Sequence, residues 1–187
     1  NNKHTDYYLD VRKIISYPIL IKEICAHIYW TYLKDDVNIK LVGVPNGAIP
    51  LVSSLSTMFN IPMIILKKER PSHNRMQLID GIYNKGDKVV VIEDVTITGS
   101  SVLQTVQQLS LNGLKTIKVI CLFDRGGVNN LHKTVISTFS IFNRIDFKLS
   151  IKQKLALMKS RLVFSNDISD KDKFLEELYV DLGPIVE

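Results

Sequence analysis

The chain is 187 residues long and 45% hydrophobic, with 24 Lys and Arg against 19 Asp and Glu for a formal charge of +5. That is enough for one ordinary globular domain with its own core. No apolar run reaches membrane-spanning length and no signal peptide is visible, so a soluble cytoplasmic protein with no membrane partner is expected. The positive charge suits anionic ligands, and the lack of basic runs interleaved with aromatics argues against nucleic acid. Cys25 and Cys121 lie within apolar runs without metal-type spacing and read as reduced core residues.

In chain order, Tyr7 and Tyr8 alternate with Leu9 and Val11 as in a half-buried strand, with Tyr8 read plainly as an edge-strand tyrosine in core packing. Ser16 to Leu33 reads as a helix, with Pro18 in its first turn and an apolar stripe of Ile21, Ile24, Cys25 and Ile28. Lys40 to Val44 is a short strand feeding the turn Pro45-Asn46-Gly47. A helix from Ile49 to Phe59 and a strand from Pro62 to Leu66 follow. Lys67 to Gly81 is polar and aperiodic, carrying Lys68, Arg70, His73 and Arg75, and reads as a mobile loop. Asn84 to Asp87 is a turn, and Thr116 to Phe123 is another buried strand ending at Asp124-Arg125. Alternating strands and helices of this kind predict an α/β fold with a mostly parallel sheet.

The centre of the chain is Val89 to Ser101, VVVIEDVTITGSS. Its β-branched run suits a strand buried on both faces, ending at Glu93 and Asp94. Thr96, Thr98, Gly99, Ser100 and Ser101 form a turn, and Val102, Val106 and Leu109 mark a helix closed at Asn112-Gly113. Free N–H groups and the dipole at a helix start favour a phosphate, and Gly99 permits close approach. Two carboxylates beside a phosphate would repel it unless hydroxyls or a metal ion bridged them, so a sugar phosphate with vicinal hydroxyls satisfies the pattern. The plainer reading is a strand-to-helix turn whose acids are solvated caps.

These residues resemble the fingerprint of the type I phosphoribosyltransferases. Tyr8-Leu9-Asp10-Val11-Arg12, Val42-Gly43-Val44-Pro45, Lys67-Lys68-Glu69, Leu78-Ile79-Asp80-Gly81 and Phe123-Asp124-Arg125 fall in the order seen in orotate phosphoribosyltransferase, most like the form fused in UMP synthase. The resemblance implies a twisted, mostly parallel sheet flanked by helices, with a small hood and a flexible loop. It implies Mg²⁺-dependent transfer of ribosyl 5-phosphate from 5-phosphoribosyl-1-pyrophosphate (PRPP) to orotate, in a homodimer, with Mg²⁺ carried mainly by PRPP and no protein metal cage. Asp94, Lys68 and His73 would be catalytic. Glu93 with Asp94 would bind the ribose hydroxyls, Thr98, Gly99, Ser100 and Ser101 the 5′-phosphate, Lys67 and Lys68 the pyrophosphate side, and Arg125 and Tyr8 the orotate. Arg125 could instead pair with Asp124, and His73 could be a solvated loop residue.

Several positions depart from the family pattern. Asn46 and Gly47 replace Tyr and Thr, and Pro71 replaces the loop lysine. Asn74 replaces a glycine, Ile97 a threonine, and Gly126-Gly127-Val128-Asn129 replaces Glu-Gln-Gly-Gly. Losing a hydroxyl bond to phosphate at Ile97 is worth about 1.5–3 kcal/mol. A second function is therefore open: a catalytically degenerate relative with a structural or interaction role. Residues 1–149 are expected to form the phosphoribosyltransferase-like domain, short of the family's first helix and strand, as in a fragment or processed product. Residues 150–187 resemble a linker and the first β-α unit of an orotidylate decarboxylase barrel, with a basic helix Ile151 to Lys159, a strand Leu162 to Asp167 and a helix from Ser169 to Tyr179. One such unit cannot close a barrel, so no decarboxylase activity is expected.

Overall fold

The computed structural model describes residues 8–9, 11–68, 78–131, 137–142 and 179–180. Its frame is a six-stranded sheet in the order β4-β3-β2-β5-β6-β7. The strands are β2 (Ile39–Gly43), β3 (Met63–Leu66), β4 (Ile79–Asp80), β5 (Lys88–Thr96), β6 (Lys115–Asp124) and β7 (Ser137–Phe142). All pairings are parallel except β3 with β4. The mostly parallel sheet expected from alternating elements is therefore present. The helices α1 (Pro18–Ile28) and α2 (Ile49–Phe59) cover one face, and α3 (Ser100–Leu111) with the single turn α4 (Val128–Leu131) covers the other.

Strand alternation sorts the core. In β5, Val90 and Ile92 join Leu20, Ile24, Leu51 and Leu55 beneath α1 and α2. Val89 and Val91 join Val102, Leu109 and Cys121 beneath α3. Both faces of the central strand are thus apolar, as its unbroken β-branched run requires. Cys25 and Cys121 are free, buried thiols.

The elements differ from the sequence reading at four places. The helix expected over 16–33 is a 3-10 stretch (Val11–Ser16), then α1 from Pro18, then a π-helical turn (Tyr29–Leu33). The π turn is held where Tyr29 stacks on Phe59 with ring centroids 4.0 Å apart, and where Lys118 Nζ donates to the Tyr32 carbonyl and pairs with Asp36 at 2.6 Å. The loop expected to reach Gly81 ends earlier, because Ile79–Asp80 pairs antiparallel with β3. Strand β5 runs on through both acids to Thr96 instead of ending at them, since β6 continues to pair with it there. Tyr179, expected to close a helix, lies in β8 (Tyr179–Val180), which pairs antiparallel with β1 (Tyr8–Leu9). The other tail elements and most of the polar loop lie outside the described residues.

The topology fixes where a ligand can go. From β2 the chain steps outward to β3, and from β5 it steps the opposite way to β6 and β7. The carboxyl ends of β2 and β5 therefore diverge into separate turns. That switch point is where open α/β sheets form their crevice.

Candidate active site

Two adjoining cavities occupy this switch point. One, of about 330 Å³, is lined by Arg12, Pro45, Gly47, Glu93, Asp94, Ile97, Ser101 and Arg125 among others. The second, of about 480 Å³, carries Lys67, Lys68, Gln104 and Gln108. Val44, Pro45 and Ser101 belong to both walls, so the two form one cleft with an acidic end and a lysine end. Among the described residues, Glu93, Asp94, Ser101, Arg125, Lys67 and Lys68 thus line this cleft.

Glu93 and Asp94 are neighbours on a strand, yet their environments differ. Glu93 is only 5% exposed. Burial, a hydrogen bond from its carboxyl to that of Asp94 and the Asp94 charge push its pKa up to about 9. At neutral pH it is a neutral acid able to donate a hydrogen bond. Asp94 is half-buried and turned toward the β2–α2 turn, where it packs on the backbone of Gly47. A Cβ at Gly47 would sit 2.2 Å from Asp94 Oδ2. The position read as a departure from the family's threonine is therefore one that only glycine can fill with Asp94 placed as it is. The preceding Pro45–Asn46 peptide is cis.

The turn into α3 forms a cradle that meets the cleft at Ser101, while Thr98, Gly99 and Ser100 line neither cavity. Gly99 takes φ +82° as the helix N-cap and, having no side chain, makes no side-chain cap bond of its own. The first N–H groups of a helix have no intrahelical partner, which leaves α3 with donors for an anion. Thr98 Oγ1 lies 2.9 Å from Ser100 Oγ and accepts from the Ser100 N–H at 3.3 Å. Asn130 of α4 donates to the Thr98 carbonyl at 3.1 Å. Beneath the turn runs Gly127, where a Cβ would lie 2.3 Å from Thr96 Oγ1 and 2.8 Å from the Gly99 nitrogen. Gly127 thus carries the packing that supports the cradle, whereas a Cβ at Gly126 would meet nothing within 4 Å. Ile97 is 53% exposed at the cleft mouth, with no hydroxyl to offer.

Arg125 is held by its backbone, whose N–H donates to the Thr96 carbonyl at 2.8 Å. Asp124 Oδ1 accepts from the N–H groups of Gly126 (2.8 Å) and Val128 (3.1 Å), so this carboxylate caps α4. Lys67 pairs with Asp80 at 2.7 Å across the β3–β4 pairing, and Lys68 is exposed at the lysine end. His73, Pro71 and Asn74 lie outside the described residues, as does the side chain of Tyr8. The sequence reading quoted Arg12 in a motif without giving it a role, and its place in the acidic cavity comes from the fold.

The phosphoribosyl transferase domain family matches residues 12–153. The chain belongs to that family. This phosphoribosyltransferase is 35% identical over 150 residues to the orotate phosphoribosyltransferase of Thermoplasma volcanium, covering 79% of this chain and 87% of that one. It is 36% identical over 137 residues to uridine 5′-monophosphate synthase of Bos taurus, covering 72% of this chain but only 28% of the bovine protein. The solved structure of Leishmania donovani UMP synthase aligns with a TM-score of 0.65 at 27% identity, covering 91% of this chain and 36% of that one. The sheet, its order and the helices on both faces are the type I phosphoribosyltransferase fold.

Proposed function

We propose that this phosphoribosyltransferase transfers the ribosyl 5-phosphate of PRPP to N1 of orotate, giving orotidylate and pyrophosphate in pyrimidine biosynthesis. The observation that carries the reading is the single cleft that joins an acid pair, a helix start with a glycine N-cap and two lysines, with Arg125 at its acidic end. The 5′-phosphate takes the α3 start, on the backbone and hydroxyls of Thr98, Gly99, Ser100 and Ser101. The ribose then lies over Glu93 and Asp94. Asp94 accepts from one hydroxyl, and neutral Glu93, whose single proton is turned to Asp94, accepts from the other through its carbonyl oxygen. Lys68 and Lys67 draw the leaving pyrophosphate toward the lysine end, helped by the backbone of the Pro45–Gly47 turn. Arg125 orients the planar acceptor through its carboxylate, which its forked donors match. The transition state is cation-like at the ribose, so the chain's contribution is positioning and charge stabilisation, not covalent chemistry.

Among the described residues, no group of three or more His, Cys, Asp or Glu side chains is placed to hold a metal ion by itself. The carboxylate oxygens of Asp94 would suit a hard ion that arrives with the pyrophosphate. When bound, Mg²⁺ would offset the pyrophosphate charge. His73 from the polar loop, Tyr8 beside the acceptor, a homodimer and a cytoplasmic setting complete the reading on the strength of the resemblance, and residues 150–187 are read as a linker with the start of a decarboxylase-like unit.

Titration calorimetry with Mg-PRPP, then orotate in the same cell, tests the proposal, with orotidylate and pyrophosphate assayed as products. Binding of both ligands with product formation is expected. No binding of either would replace the transferase reading with that of an inherited fold serving a structural or interaction role.

A further inference from the structure

We infer that Arg12 is a second acceptor-binding residue, which works with Arg125 to select a planar, carboxylated acceptor. This inference rests on the transferase reading above and adds a specificity-determining group to it. Arg12 stands in the first turn of the 3-10 stretch that packs against β5, and its neighbours in that stretch tie it down. Val11 is 2% exposed and Ile14 is 5% exposed, both within the core under α1 and α2. The backbone carrying Arg12 is therefore anchored to the sheet although the guanidinium reaches the surface. Both Arg12 and Arg125 line the acidic cavity, and neither lines the lysine cavity.

That partition decides what Arg12 binds. The donor's negative groups have their own cations and N–H groups elsewhere, at Lys67, Lys68 and the α3 start. Ser101 stands on the wall between the two cavities. What remains for the acidic end, beyond the ribose over Asp94 and Glu93, is the acceptor, entering a space whose charged lining at neutral pH is Arg12, Arg125 and Asp94. Two guanidiniums there exceed what a neutral base would need. Each offers forked donors suited to a planar acid, one to the carboxylate and the other to the same carboxylate or to a ring carbonyl beside it. The two arginines come from opposite ends of the matched domain, so the sequence does not place them side by side.

The test is steady-state kinetics of the full chain and its Arg12→Gln and Arg12→Lys variants, varying orotate and PRPP separately. Losing one charge-assisted contact should raise the KM for orotate about tenfold or more in Arg12→Gln. The KM for PRPP should change by less than about twofold, and Arg12→Lys should recover part of the loss because it keeps the charge without the fork. An unchanged KM for orotate, or equal rises for orotate and PRPP, would overturn the inference and leave the transferase reading standing. If the wild-type chain forms no orotidylate, both fall together. Should Arg12→Gln fail to fold, Arg12→Lys decides alone: a selective rise for orotate supports the inference, and wild-type constants refute it.

Discussion

Replacing Glu93 with glutamine should stabilise the fold at neutral pH, although it alters a residue of the cleft. Glu93 is 5% exposed on β5, and burial first, then the hydrogen bond and charge of Asp94, raise its carboxyl from the ordinary 4.5 to about 9. The folded pKa lies above the unfolded one, so the folded chain holds a proton that the unfolded chain releases. The stability associated with that proton is complete below pH 4.5 and is lost progressively as the pH rises to about 9. At pH 7 the solution is about 2.5 units above the unfolded carboxyl's pKa of 4.5, and at about 1.4 kcal/mol per unit the loss is about 3.5 kcal/mol. Glutamine has nearly the same shape, keeps a donor and an acceptor, and cannot ionise. Urea unfolding of both proteins at about pH 5, 7 and 9 measures the difference. The two should be close at the lowest pH, with the variant increasingly the more stable above it. Parallel stability curves across that range would show that Glu93 is ionised in the folded chain and would refute the reasoning.

Three further outcomes follow from the same packing. Gly47→Ala should swing the Asp94 carboxylate out of place, because the new Cβ would lie 2.2 Å from its Oδ2; PRPP affinity by calorimetry should fall about tenfold with little change in thermal midpoint, and unchanged affinity would remove Asp94 from the ligand site. Gly127→Ala should press on Thr96 Oγ1 and the Gly99 nitrogen; a stability loss of about 1–3 kcal/mol with weakened binding of inorganic phosphate is expected, and phosphate binding equal to wild type would show that Gly127 does not support the cradle. Burial pushes the Cys25 thiol up to about 12 and raises Cys121 further, chiefly by burial and then by the charges of Glu93, Asp124 and Asp94. Neither thiol should react with a maleimide in the native chain at mildly alkaline pH, while both react after denaturation, and rapid native labelling would contradict their packing.

Much of the fold was legible because its signals are local. The β-branched run Val89–Ile92 announced a strand buried on both faces, and Gly99 followed by the Val102, Val106 and Leu109 stripe announced α3. Pro50 near the helix start and the left-handed Asn60 at its end bound α2 as the pattern Ile49 to Phe59 suggested. The elements that were missed have weaker local patterns. Strand β7 mixes buried Thr138 and Ile141 with exposed Phe139 at the sheet edge, and β4 is two residues within a polar stretch.

The chain's sequence determined by itself that an acid pair, a phosphate-sized glycine turn and a helix stand in a row, because these follow one another without a break from Glu93 to Leu111 and each follows from local residue chemistry. Only the tertiary structure decided which distant residues complete the cleft. Pairing of β5 with both β2 and β6 sets Gly47 against Asp94 and Gly127 beneath Gly99. The same packing brings Arg12 and Arg125 to one cavity. Those contacts join residues far apart in the chain and depend on strand order, so no local pattern encodes them. That is why Gly47 and Gly127, which read as departures, turn out to sit against Asp94 and the Gly99 backbone.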